Sequence, residues 1–282
     1  MLASNLIPRL EFALQSCFRR QRSCPFCESL ETSIVARKHL TIRVRRCRVC
    51  LLYFTDPIYR SGVADLYDSL YSAEGLTTSL PSPAVLADLR ATEFALSDKN
   101  CSQQIEAIKR LTDERRLLEL GSSWGYFLYQ ARAAGFSAIG VEPGRRRREF
   151  GQRSLGVDIR ESTKAVGHDT FAIIYSAHTL EHIGEVGAFL QDCSNLLQPE
   201  GLFVIEVPHF DLVNLGKDVL SIIGAVHPLG LSRPFFERAL PSVGLRVMGI
   251  YNSWSAVPSY PMSDYQQGVL IIVAKKEAGQ SR

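Results

Sequence analysis

Four cysteines stand in two short pairs, Cys24-Pro25-Phe26-Cys27 and Cys47-Arg48-Val49-Cys50, giving C-x2-C-x19-C-x2-C. Four thiolates complete a tetrahedral zinc ion, and each two-residue spacer lets one tight turn present two sulfurs. The other uses of such pairs are disulfides, which belong to secreted chains, and redox dithiols, which are expected beside a βαβ unit. A segment of about 35 residues has too little core to fold alone and gains its stability from a bound metal. Cys24, Cys27, Cys47 and Cys50 are therefore read as zinc ligands. Cys17, Cys101 and Cys193 follow no ligand spacing.

A second stretch, "LLELGSSWGYFL" over residues 117–128, has an apolar run closed by Glu119, glycines at Gly121 and Gly125, and a helix-compatible run from Trp124. A strand that delivers a glycine turn into a helix lets backbone approach a nucleotide closely, because no Cβ occupies the ligand's space. The next strand ends "IGVEPG", and Glu142 lies 21 residues beyond Gly121. At that spacing an acidic residue accepts hydrogen bonds from ribose hydroxyls. The turn departs from the dinucleotide fingerprint G-x-G-x-x-G, since the third glycine is missing and Trp124 fills space a pyrophosphate needs. Glu119 by itself can be read as a charged residue that ends the strand and is satisfied by backbone amides.

The elements that must position these residues are legible in the rhythm of the chain. From Arg115, short apolar runs ("RLLEL", "AIGVE", "FAIIYSA", "LFVIEV", "LRVMGIY", "VLIIVAKK") alternate with helical patterns ("WGYFLYQARAAG", "GRRRREFGQRSLG", "EVGAFLQDCSNLLQPEG"). Each helical pattern closes on a glycine, as C-caps prefer. Strands alternating with amphipathic helices predict a doubly wound α/β fold, a mostly parallel sheet covered on both faces. Upstream, "HLTIRVRRC" alternates like a strand, and "VADLYDSLYS" and "AVLADLRATEFAL" have helical spacing. The chain divides into 1–58 with the cysteine module, a helical connector or cap at 59–113, and the α/β domain at 114–282, with a lid-like insert at about 208–232. A long βα connection of that kind reads as a lid or substrate wall.

Composition sets the class. The chain has 282 residues, 46% apolar and 22% charged, ordinary for a globular protein. No apolar run reaches the ~20 residues of a membrane span, and "MLASNLIPRLEFALQSCFRRQR" lacks the basic-then-apolar order of a signal peptide. The expected location is cytoplasmic. Net charge is +3, but residues 1–60 hold 11 Lys/Arg against 4 Asp/Glu while the rest is acidic. That front either faces something anionic or solvates a module with little core.

Residues 115–276 resemble the class I S-adenosylmethionine-dependent methyltransferases. "ELGSSWG" is similar to their first motif, "GVEPG" to the acidic end of their second strand, "SAHTLEHI" to the fourth-strand segment and "LLQPEGLFVIEVPH" to the fifth. The resemblance implies a seven-stranded methyltransferase sheet whose last strand, "VLIIVAKK", is antiparallel near the edge. It implies S-adenosyl-L-methionine as cofactor, with Gly121 and Gly125 lining the methionine moiety and Glu142 on the ribose. Glu161 and Ser162 would approach the adenine, and His178 would stand beside the cofactor. Glu119 counts with these cofactor-binding residues, and in that family its position mostly shapes the turn. The front end, "CPFC…CRVCLLYFTDP" followed by "LYDSLY", resembles the zinc-ribbon leader of bacterial methyltransferases of saccharide and natural-product pathways. Those leaders usually carry glycine after each knuckle, where Glu28 and Leu51 stand here.

A sulfonium is an activated methyl donor, so the protein mainly aligns a nucleophile and, for a hydroxyl or carbon acceptor, removes a proton. "HTLEH" offers His182 as base, with Glu181 orienting it or taking the proton itself. The alternative is that both cap the following helix. His209 and His227, which border the insert, are either alternative bases or solvated loop residues. Tyr67 and Tyr71 close the site or, the reading preferred, pack in the core at i, i+4. Arg145–Arg148 reads as a solvated helix face. The leading function is methylation of a small polar metabolite such as a sugar nucleotide or saccharide precursor, on O or C. The alternatives are an RNA methyltransferase using the basic ribbon as its recognition module, and an inactive zinc-ribbon adaptor. Acceptor and oligomeric state are left open.

Overall fold

The computed structural model describes residues 20–38, 42–58, 79–224, 226–263 and 265–278. At the front, β1 (Thr32–Lys38), β2 (Ile42–Cys47) and β3 (Tyr53–Asp56) form an antiparallel run. In β2, Ile42, Val44 and Cys47 are buried, and the intervening Arg43 and Arg45 pair with the buried Asp56 carboxylate at 3.8 and 2.9 Å. The pattern "VADLYDSLYS", with Tyr67 and Tyr71, lies outside the described residues, as does Cys17.

Helix α1 (Pro83–Ala91) starts on Ser82, whose Oγ accepts from the Val85 N–H, with proline in the first turn where no amide donor is needed. It is shorter than the "AVLADLRATEFAL" pattern. Glu93, Phe94 and Leu96 turn through positive φ, which buries Phe94 stacked 6.3 Å from Trp124. Then come α2 (Ser102–Leu111), β4 (Arg116–Leu120), α3 (Tyr126–Ala133), β5 (Ser137–Val141), α4 (Arg145–Leu155), β6 (Asp158–Arg160), β7 (Phe171–Ala177) and α5 (Val186–Leu196). β8 (Leu197–Pro208), β9 (Leu229–Gly230), α6 (Arg233–Ser242), β10 (Leu245–Tyr251) and β11 (Val269–Lys276) complete the described chain.

The large sheet has the order β10-β11-β8-β7-β4-β5-β6. Neighbours from β8 to β6 are parallel, and β11 runs antiparallel to both β8 and β10, as expected for the last strand. Strand order reverses between β4 and β7, which creates a crevice at their C-terminal ends. The apolar strands serve two layers by simple alternation. Leu117, Ile173, Val204 and Ile271 pack with α2 and α3, while Leu118, Ile174, Phe203 and Ile272 pack with α5 and α6. Strands buried on both faces read as continuous apolar runs.

Helices α3 and α4 are followed by left-handed Gly135 (φ +96°) and Gly156 (φ +65°). The third expected glycine cap is absent. α5 passes directly into β8, and it is Glu200 that has positive φ (+65°). Gly201 is required for another reason: a Cβ there would lie 2.9 Å from Gln198 O and 3.1 Å from Ala172 O.

The stretch after β8 does more than loop. Its strand β9 pairs antiparallel with β3, Tyr53 opposite Gly230 and Phe54 opposite Leu229, so a second sheet β1-β2-β3-β9 joins the front segment to the insert. Cys24, Cys47, Leu52, Phe54 and Ile58 share one apolar cluster with Val186 and Leu190 of α5 and Phe235 and Phe236 of α6. The front segment is cored into the main domain.

Candidate active site and zinc centre

Gly121 opens the turn after β4 with φ +80°. A Cβ there would collide with Thr179 Oγ1, and Thr179 is itself fixed by donating to Leu120 O at 3.2 Å and Ala177 O at 3.0 Å. Gly125 (φ +83°) is hemmed by Val157, whose Cγ2 would be 2.7 Å from a Cβ. Both glycines are thus required by neighbouring protein atoms and by backbone conformation. Between them Ser123 N–H donates to Glu142 Oε2 at 3.0 Å, while Gly144 N–H donates to Oε1 at 2.8 Å and Arg147 lies 3.6 Å away. The Glu142 carboxylate is buried and fixed at the end of β5.

Glu119 lies beneath this turn. It is buried, and its Oε2 has no hydrogen-bond partner among the described residues, nor does the Ser123 hydroxyl. Burial pushes the Glu119 carboxyl up to about 8, with the Ser122 hydrogen bond opposing and the Glu142 charge adding. Orphaned polar atoms and paired carboxylates at a switch point fit a nucleoside that carries a positive charge. Glu161 and Ser162 follow β6. Glu161 is exposed, 3.9 Å from Arg148, and Ser162 Oγ accepts from Ala165 N–H in the next turn. Arg145 and Arg148 of the α4 run are engaged by Glu149 and by the Glu142 carbonyl.

A second polar centre stands at the ends of β7 and β8. His178, with φ +49°, donates its N–H to Glu206 O at 2.8 Å. Its ring lies between Glu181 and Glu206, with Nδ1 and Nε2 each 3.6 Å from a carboxylate oxygen. The Glu181 carboxylate first, then that of Glu206, raises its pKa to about 10. Glu206 Oε2 also accepts from the Trp254 indole at 3.0 Å. Sequence reasoning missed Glu206. Its signal was one ionisable residue inside "LFVIEV", which when buried needs partners.

His182 sits in a 3-10 turn, its Nδ1 2.8 Å from Val226 O. A carbonyl only accepts, so Nδ1 carries the hydrogen and Nε2 the lone pair. Burial lowers its pKa to about 4, opposed by Glu181 and reinforced by His227. The His227 ring is 4.5 Å away at 67°. Glu181 and His182 do not cap α5, whose N-cap is Glu185. His209 stands apart, buried, with Nδ1 2.7 Å from Gln266 O. The structure thus brings His178, Glu181 and His182 together and adds Glu206 and His227.

The sulfurs of Cys24, Cys27, Cys47 and Cys50 all lie within 4.8 Å of one another, with Cys24–Cys50 at 3.4 Å and Cys27–Cys47 at 3.6 Å. Tetrahedral zinc with bonds of about 2.3 Å holds its sulfurs roughly 3.8 Å apart, so the set fits zinc. Glu28 and Leu51 adopt φ +58° and +66°, the left-handed geometry for which glycine is the easier residue.

Residues 94–247, more than half of the chain, match the family described as Methyltransferase domain. The chain belongs to this family, that of the S-adenosylmethionine-dependent methyltransferases. It is 33% identical over 82 residues to the ubiquinone biosynthesis O-methyltransferase of Parvibaculum lavamentivorans, covering 28% of this chain and 31% of the relative. It is 33% identical over 156 residues to the C-methyltransferase NovU of Streptomyces niveus, covering 51% and 36%. The matches thus span about a third of the length of these two relatives. A solved S-adenosylmethionine-dependent methyltransferase from Clostridium acetobutylicum superposes with a TM-score of 0.51 at 10% identity, covering 69% of this chain and 98% of that one, a likeness of fold. Among the described residues no helix is long and apolar enough to cross a membrane.

Proposed function

We propose that the protein transfers the methyl group of S-adenosylmethionine to a small polar metabolite, an oxygenated compound of the saccharide or sugar-nucleotide kind. The observation that carries the reading is the buried Glu142 carboxylate, fixed by Ser123 and Gly144 amides at the switch point of a methyltransferase sheet. Glu142 receives the ribose hydroxyls, Gly121 and Gly125 let the turn approach the methionine tail, and Glu119 faces its ammonium group. Glu161 and Ser162 border the adenine. Bound there, the cofactor supplies a methyl group on a positively charged sulfur.

At the acceptor end, the Glu181–His182 pair takes the proton lost by the attacking hydroxyl or carbon. His178, placed between Glu181 and Glu206, stands beside the cofactor at the end of β7. A metabolite acceptor is supported by the relatives, named for O-methylation in ubiquinone biosynthesis and for C-methylation. It is also supported by the ribbon, where Arg43 and Arg45 are engaged by Asp56 and Arg46 lies over Tyr53. The four cysteines hold structural zinc.

The test is S-adenosylhomocysteine binding, followed by transfer of labelled methyl groups into fractionated extract of the source cells. Glu142→Ala is expected to weaken the ligand by about tenfold or more, since hydrogen bonds to a charged group contribute about 1.5–3 kcal/mol. Label is expected among small molecules. No binding by the wild-type protein sinks the reading, and label in RNA would transfer the ribbon to substrate recognition.

A further inference from the structure

His209 is the first residue past β8, at the end of the sheet where Glu206 and His178 meet. Two carbonyls of the β10–β11 connection fix it from the other side. Its backbone N–H donates to Gly268 O at 2.8 Å, and its ring Nδ1 lies 2.7 Å from Gln266 O. A carbonyl only accepts, so Nδ1 carries the ring hydrogen and Nε2 is left as a bare lone pair. The two ring nitrogens point away from each other, so Nε2 is directed away from the Gln266 backbone.

That lone pair is unsatisfied. His209 is 0% exposed, and its Nε2 has no hydrogen-bond partner among the described residues. A buried acceptor left in that state is costly, and it calls for a donor that arrives from outside the chain. Burial lowers the pKa of the ring, with the Gln266 bond and the Asp211 charge opposing, so the neutral ring is favoured and keeps its lone pair. The Tyr265 ring stacks on the imidazole, centroids 6.3 Å apart and planes 21° from parallel. Tyr265 is 45% exposed, so an entering ligand can displace it or lie against it. Trp254 of the same connection donates to Glu206 at 3.0 Å. The connection therefore reaches both the His209 ring and the carboxylate beside His178.

We propose that His209 is an acceptor-recognition residue, its Nε2 accepting a hydrogen bond from a hydroxyl of the methyl acceptor. The inference rests on the methyltransferase reading and narrows its substrate class. A neutral lone pair takes only an O–H or N–H donor and repels carbonyl, carboxylate and phosphate oxygens. The acceptor must present a free hydroxyl to the β8 side in addition to the atom that receives the methyl group. A polyhydroxylated ring meets that condition. A compound oxidised or deoxygenated at that position leaves Nε2 orphaned and is rejected for that reason.

The test treats the two ring nitrogens separately. His209→Asn places an amide donor near Nδ1, keeps the bond to Gln266 O and removes the group at Nε2. His209→Gln places an amide oxygen near Nε2 and gives up the bond to Gln266. The probe is the small-molecule fraction of source-cell extract that takes labelled methyl groups with the wild-type protein. In dilutions of that fraction His209→Asn should raise the apparent KM about fivefold, the worth of one neutral hydrogen bond, and His209→Gln should restore most of it. A purely structural role predicts the reverse order, with Asn tolerated and Gln impaired. That order, or an unchanged KM in His209→Asn, overturns the proposal. If the variants do not fold, 15N-histidine NMR of the wild-type protein decides. The expected ring is the Nδ1–H tautomer, with an Nε2 resonance that moves when the fraction is added, and an Nε2–H tautomer or an unmoved resonance overturns the assignment. No S-adenosylhomocysteine binding, or no labelled small molecule, refutes the methyltransferase reading and the acceptor role with it. Transfer by the wild-type protein with His209→Asn unimpaired refutes the role of His209 alone.

Discussion

At Gly121 two constraints meet, a left-handed backbone and the Thr179 hydroxyl where a side chain would begin. Gly121→Ala combines the cost of positive φ with overpacking, and an expected loss of about 2–4 kcal/mol follows. Urea unfolding measures it, and a loss under about 1 kcal/mol would show that Thr179 simply yields. Glu119, two residues earlier, is expected to make cofactor binding depend on pH. Burial raises its pKa to about 8, above the roughly 4.3 of an unfolded glutamate. The folded state therefore binds the proton more tightly, and the stability this contributes is full below pH ~4.3 and lost as pH rises through about 8. A ligand ammonium beside Glu119 favours the ionised form, so binding at pH 7 should release about one proton. Calorimetry in buffers of different ionisation enthalpy reads that release, and Glu119→Gln should abolish it. A buffer-independent enthalpy in the wild-type protein would place the ligand elsewhere.

The element that most changes the picture is β9, two residues long, which completes the ribbon sheet from within the insert. Around it Tyr53 donates to the buried Asp211 at 3.1 Å, and Lys38 reaches the Ser221 and Ile223 carbonyls. Tyr53→Phe leaves Asp211 without that donor and should cost about 1–3 kcal/mol. Because β3 and the cysteine knuckles share one core with α5 and α6, stripping the zinc should lower the melting temperature of the whole chain in a single transition, by about 5 °C or more. Residues 208–232 should lose amide protection together with the ribbon. Two separate transitions, the ribbon melting first and the insert staying protected, would show that the shared sheet couples nothing. The insert also carries His227 and the Val226 carbonyl on His182, so the ribbon sheet is continuous with the stretch that holds the His182 ring.

On the scale of the whole molecule, the basic front and the mildly acidic remainder meet inside one fold. Arginines of the front are engaged by Asp56 and Tyr53, while the cleft gathers the buried carboxylates Glu119, Glu142, Glu181 and Glu206, a field suited to a cationic cofactor. Much of this was legible in the chain. The C-x2-C pairs, the glycine turn with Glu142 about one βα unit later, and the alternation of apolar runs with helices are local patterns, and local patterns follow from turn geometry and from periods of 2 and 3.6 residues. They determined the sheet, the glycine turn with its buried acid and the gathering of the four cysteines. What they left open was decided by tertiary structure. A two-residue strand has no period to read, so nothing in "LG" announces its pairing with β3. His178 meets Glu206, and His182 meets His227, only because β7 and β8 lie side by side and the insert folds back over their ends. Those contacts join residues far apart in the chain, and their reason is burial of the apolar strand faces and of the ribbon against the helices, a condition on the whole molecule that no short window of sequence contains.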